Sequence, residues 1–126
     1  MRVLLDTQVF IQAYLGENLP KRVLTLIANP ETERILSAAS IMEIAIKNAT
    51  GKLQMPEPQM QQAVLDLRLT VVPFEPRHAY RLFSLPPHHR DPFDRMIIAT
   101  ALAEKLPLIG GDRLFQHYKG LSVIWN

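Results

Sequence analysis

Cysteine is absent from this 126-residue chain, which removes disulfides, thiolate metal sites and a cysteine nucleophile together. That fits a reducing compartment, and a cytoplasmic location is the expectation. Glycine is scarce, at five residues, and the only adjacent pair is Gly110-Gly111, too little for a glycine-rich phosphate loop. Long apolar runs are missing as well. The longest, Met96 to Ala103, falls far short of the roughly 20 residues that cross a bilayer, and Asp6 interrupts the N-terminus before a signal-peptide core forms. No membrane association is expected. Neither charge dominates, because a formal net charge of +2 is too small to name a partner.

What the chain has is an ordinary globular composition, 48% hydrophobic and 21% charged, at a length usual for one compact domain. A single domain over residues 1–126 is the expectation. Val3-Leu4-Leu5 is a short apolar run ending at Asp6-Thr7, the pattern of a buried strand feeding a helix. Pro20 reads as a first-turn proline of a helix to about Ala28, stopped by Asn29-Pro30, and Arg34 to Ser37 as a second strand. From Ser40, Ile41, Ile44, Ala45 and Asn48 recur at helical spacing up to Gly51. Pro56 and Pro58 precede a helix around Gln59 to Leu67, followed by a strand at Thr70 to Phe74. Pro76 opens a helix that Pro86-Pro87 closes.

Asp91-Pro92 pairs a cap with a first-turn proline, and the helix it starts, to Lys105, is apolar nearly all round and expected to be buried centrally. Leu108-Ile109 and Ser122 to Trp125 read as the last strands, with a short helix between. Short strands separated by helices, with crossovers too long for hairpins, predict a three-layer α/β/α domain around a parallel sheet. Functional groups in such sheets gather beyond the C-terminal strand ends, where strand order reverses.

That rule singles out acids. Asp6 follows the first strand, Asp112 follows Leu108-Ile109, and Asp94 lies in the opening turn of the helix leading into that strand. Glu43, near the start of the helix after the second strand, has the reach to complete a four-carboxylate cluster. Four anions at one edge would force some to take up protons unless a cation stabilises the ionised forms. All-oxygen ligation favours Mg²⁺ or Mn²⁺, with remaining ligands taken from water and substrate phosphate, so phosphodiester hydrolysis is the natural reaction class.

Each acid has an ordinary explanation too. Asp6 could only cap a helix. Glu43 stands three residues after Ser40, the spacing of a capping box, and four before Lys47, the spacing of a helical ion pair. Asp91 is placed as an N-cap, Asp94 to serve the helix dipole, and Asp112 as a turn residue. The functional reading rests on their convergence. His88-His89 resembles a metal pair, but adjacent side chains point apart, and a solvated loop is expected. Setting four of the twelve acids aside leaves eight against fourteen Lys and Arg, an excess that suits a polyanionic substrate. Arg90, Arg95 and Lys47 are candidates for holding its phosphates, or for pairing with the site's own acids.

Taken together the motifs resemble the PIN domain family, and within it the VapC-type toxins. Leu4-Leu5-Asp6-Thr7-Gln8-Val9-Phe10 resembles the first motif. Ser37 to Lys47, with Gly51-Lys52-Leu53, is similar to the second. Asp91-Pro92-Phe93-Asp94-Arg95 leading into Ile97 to Ala103 is similar to the third, and Leu106 to Asp112 to the fourth. The resemblance implies a five-stranded parallel sheet and metal-holding catalytic roles for Asp6, Glu43, Asp94 and Asp112, with Asp91 as an accessory. It implies an Mg²⁺-dependent endoribonuclease, frequent homodimers, and a small cognate antitoxin that occupies the active-site groove and places a basic side chain among the acids. Two positions depart from the pattern: Gly110 stands where many relatives carry Thr or Ser, and Met42 where an aromatic residue is common.

Rivals differ at countable positions. A PIN nuclease in RNA processing would lack an antitoxin gene beside it. A haloacid-dehalogenase-like phosphatase needs an Asp where this chain has Gln8. A receiver-like signalling domain wants paired acids after the first strand, where only Asp6 stands. A catalytically dead binding module would leave RNA intact in Mg²⁺.

Overall fold

The computed structural model describes all residues, 1–126. Five strands, β1 (Arg2–Leu5), β2 (Glu33–Ser37), β3 (Leu69–Val72), β4 (Leu108–Ile109) and β5 (Val123–Ile124), alternate with six helices. The helices are α1 (Thr7–Leu15), α2 (Lys21–Ala28), α3 (Ala38–Ala49), α4 (Glu57–Asp66), α5 (Pro76–Arg81) and α6 (Pro92–Glu104). Short 3-10 turns occupy Leu82–Ser84 and Arg113–His117.

All strand pairs are parallel and the order is β3-β2-β1-β4-β5. The chain builds outward from β1 through β2 to β3, then crosses to the other side of β1 for β4. Strand order therefore reverses between β1 and β4, and a crevice opens beyond their C-terminal ends.

The unbroken apolar runs of the strands follow from burial on both faces. Alternation then divides them: Val3, Leu5, Leu36 and Ile109 enter one core with Val9 and Phe10 of α1, Val23 of α2 and Met60 of α4. Leu4, Ile35 and Leu108 enter the other with Ile97, Ile98 and Ala101 of α6 and with Phe115 and Tyr118. This is the expected three-layer α/β/α arrangement. Helix α6 is less central than its composition predicts: Ile97 to Ala101 are buried, but Arg95 and Glu104 remain partly accessible.

One boundary changes the reading of a site residue. Helix α3 begins at Ala38, with Ser37 as N-cap accepting from the Ala39 amide at 3.0 Å. Ser40 is thus already inside the helix and the Ser40–Glu43 capping box does not form. Instead the Ser40 hydroxyl meets that of Thr7 at 2.8 Å, both buried, tying the first turn of α1 to α3. No helix is long and apolar enough to cross a membrane.

Candidate active site

Asp6, Glu43, Asp91, Asp94 and Asp112 line one cleft of ≈ 450 Å³ together with Thr7, Gln12, Lys47, Gly111 and Trp125. Each arrives by a different route. Asp6 ends β1 and occupies the N-cap position of α1, yet its side chain accepts no capping hydrogen bond, so capping alone does not account for it. Asp91 does cap α6, its Oδ1 accepting from the Phe93 amide at 2.8 Å and more weakly from Asp94 at 3.3 Å. That frees Asp94, in the first turn, to face the cleft. Asp112 follows β4 and caps the 3-10 turn by accepting from the Leu114 amide at 2.9 Å.

The electrostatics divide these acids. Asp6, only 7% exposed, has its pKa pushed up to about 7, first by burial and then by Asp94 and Glu43. Asp94 rises to about 6, through burial and then the Asp91 charge. Asp112 moves the other way. Burial is the largest single influence on it and acts upward, but hydrogen bonds from His89 and the Leu114 amide together hold the carboxyl below its ordinary value. Carboxylates that crowd one another and lose water, as Asp6 and Asp94 do, would be stabilised as anions by an added cation.

Glu43 supplies the sharpest test of whether a cation fits. Its side chain is buried, its Oε2 pairs with Lys47 at 2.8 Å, and its Oε1 has no hydrogen-bond partner. A buried carboxylate oxygen without a donor is costly in a closed protein and is satisfied by a metal ion. The carboxylate oxygens, with one imidazole beside them, suit Mg²⁺ or Mn²⁺.

The imidazole is the residue that sequence reasoning misplaced. His89 does not lie in a solvated loop: it is 6% exposed, with Nε2 2.8 Å from Asp112 Oδ2 and Nδ1 2.7 Å from the Tyr118 hydroxyl. One of its ring nitrogens and carboxylate oxygens of Asp94 and Asp112 all lie within 4.8 Å of one another. His88 is exposed, so the expected divergence of the pair does occur, with one member turned inward. The position of His89 two residues before Asp91 was the available signal; the partners lie more than twenty residues further along the chain.

Two phosphate-holding candidates take other roles. Arg95 donates to the carbonyls of Leu85, Pro86 and His89 and so anchors the segment that carries His89. Lys47 is engaged by Glu43, which raises its pKa. Gly110 has a packing reason: a Cβ there would sit 2.5 Å from the Phe115 ring and 3.2 Å from Asp6 Cβ. A hydroxyl-bearing side chain has no room beside this Phe115.

A family model for the PIN domain matches residues 3–121. No curated protein matches the chain by sequence. Among solved structures, the fold is similar to a chain of VapBC2 from Rickettsia felis bound to a DNA fragment from the promoter, with TM-score 0.73, 19% identity and 100% coverage of both chains. It is also similar to VapBC-1 of nontypeable Haemophilus influenzae, with TM-score 0.69, 23% identity and coverage of 98% of this chain and 97% of that one. A DNA-bound VapBC from Salmonella typhimurium gives TM-score 0.73 at 19% identity, covering 98% and 97%. A match running from β1 to beyond the last 3-10 turn, on a sheet that brings the acids of all four motifs to one cleft, identifies the chain as a member of the PIN domain family.

Proposed function

We propose that the protein is a divalent-metal-dependent endoribonuclease, the toxin of a toxin-antitoxin pair, acting as a single domain. The observation that carries the nuclease reading is the meeting of Asp6, Glu43, Asp94 and Asp112 in one cleft around a buried carboxylate oxygen that no protein donor reaches. Asp6, Glu43 and Asp94 would hold the cation with Asp112, and Asp91 adds negative charge from the rim. When bound, such a cation supplies a water acidic enough to attack phosphorus near neutral pH and charge to steady the leaving oxygen. The chain's own part is to hold these oxygens in place. Ser40 and Thr7 brace α3 against α1, and Lys47 balances the Glu43 charge.

The toxin reading is supported by the likeness to VapBC complexes and by an apolar groove of ≈ 630 Å³ lined by Ile41, Ala45, Met60, Val64 and Leu65. A partner's apolar side chains would anchor there, while an arginine reaches the acids with bidentate contacts. No residue of α1 lines this groove.

Incubation of purified protein with RNA in Mg²⁺ or Mn²⁺ is expected to give cleavage that excess chelator abolishes. Full activity in chelator overturns the metal mechanism. Expression alone should arrest growth, and co-expression with the neighbouring gene should relieve it through a stable complex. Unimpaired growth or no complex rejects the toxin role while leaving the nuclease role standing.

A further inference from the structure

We infer that His89 is a positioning residue: it donates its Nε2 proton to Asp112 and holds that carboxylate toward the cleft, with Tyr118 fixing the imidazole tautomer that permits the donation. The inference rests on the metal-site reading above and goes beyond it.

Hydrogen-bond accounting at Tyr118 decides the tautomer. Its hydroxyl oxygen lies 3.0 Å from the His89 backbone nitrogen and 2.7 Å from the same residue's Nδ1. The backbone N–H can only donate, so it uses one lone pair of the hydroxyl. The hydroxyl's own proton is then matched by Nδ1, acting as acceptor. With the proton on Nδ1 instead, the hydroxyl would accept twice and its proton would be left without a partner, in a residue only 3% exposed. Nε2 would also turn a lone pair toward an anionic oxygen 2.8 Å away. Both costs vanish when Nε2 carries the proton.

The imidazole is itself held still. The Phe115 and Tyr118 rings pack on it with centroids 5.4 and 5.5 Å away, and Arg95 anchors the His89 carbonyl. Asp112 is therefore gripped at both oxygens, Oδ2 by His89 and Oδ1 by the Leu114 amide. A carboxylate held this way keeps a lone pair on each oxygen for the cleft and needs no rearrangement when a cation binds. The close grouping of His89, Asp94 and Asp112 also suits direct ligation by the imidazole. A direct ligand must give up the Nε2 proton, so the two arrangements differ at one atom.

The test reads that atom and the metal affinity separately. Long-range ¹H–¹⁵N spectra at pH 8 should show His89 protonated on Nε2 in the metal-free protein and again with Mg²⁺ added. Calorimetric Mn²⁺ titration should show Kd raised about 10- to 100-fold in His89→Ala, restored to within about threefold in His89→Gln, whose amide still donates, and intermediate in Tyr118→Phe. Circular dichroism should report all three folded. An Nδ1-protonated tautomer in the metal-free protein, loss of the Nε2 proton with Mg²⁺, or His89→Ala affinity within about twofold of wild type overturns the inference. If His89→Ala does not fold, the spectra and the His89→Gln titration decide alone. Wild-type protein that binds neither ion instead refutes the metal-site reading, and the metal-free spectrum still decides the tautomer.

Discussion

Lys47 Nζ lies 2.8 Å from Glu43 Oε2 across one turn of α3, while the other oxygen of the same carboxylate is buried and meets no donor. Glu43 therefore has one counter-charge and one oxygen that no protein donor reaches. Removing Lys47 should strand a buried anion. Because the Lys47 side chain is partly exposed, Lys47→Met is expected to cost about 1 to 3 kcal/mol, below the figure for a fully buried pair. Thermal unfolding in chelator should show that loss, and saturating Mg²⁺ should recover most of it. An equal loss with and without Mg²⁺ would place the cation elsewhere.

The pKa values of Asp6 and Asp94, about 7 and about 6, set a pH dependence of stability with a definite sign. Unfolded, both groups release their protons near the ordinary aspartate value of 3.8. Between there and pH 7 the folded state holds more protons, so stability contributed by these two groups falls as pH rises, by on the order of a few kcal/mol. Asp112, shifted downward, contributes the opposite way, with stability present above its unfolded pKa and lost in acid. The metal-free protein should lose Tm between pH 5 and pH 7, and saturating Mg²⁺ should flatten that slope. A rising Tm over that interval in chelator would contradict the crowded-acid account.

Asp6→Asn separates the site's function from its stability. The change removes one of the carboxylates proposed to hold the cation, so Mg²⁺-dependent cleavage should drop by at least about a hundredfold, the upper range for loss of a supporting partner. It also deletes the anion that burial and its neighbours disfavour, so Tm in chelator at pH 8 should hold or rise. Parallel cleavage assays and melting curves check both halves. A variant that is inactive because it melts early would remove the argument for repulsion.

Gly110→Ala tests the packing under Asp6. The added Cβ would lie 2.5 Å from Phe115, which is 1% exposed and has little room to move. Overpacking of this kind costs about 1 to 3 kcal/mol. In a Phe115→Leu background the same change should cost clearly less, and a double-mutant cycle by urea unfolding measures the coupling. Additive costs would show that Phe115 is not the obstacle.

Local chemistry made much of this protein legible. The apolar triplet before Asp6, the Asp91-Pro92 helix start and the Leu108-Ile109 run place three acids at strand or helix ends, because capping and burial periodicity act over a few residues. These features determined the element types, the parallel α/β class and the residues to inspect. Boundaries drifted where signals competed: Ser37 and Ser40 both offer a hydroxyl to a helix start, and Ser37 is the one whose side chain caps.

Only the tertiary structure decided the strand order and the company each side chain keeps. The β3-β2-β1-β4-β5 order places the ends of β1 and β4 side by side, although more than a hundred residues separate Leu4 from its partner Leu108 along the chain. His89 meets Asp112 and Tyr118, and Ser40 meets Thr7, across separations of 23 to 33 residues. No helical or strand period reaches that far, because periodicity says which way a side chain faces and not what lies opposite. The sequence alone determined which acids stand at the element ends; the packing of α3, α6 and the two central strands decided that they share one cleft, and that a histidine read as solvated is buried and holds one of them.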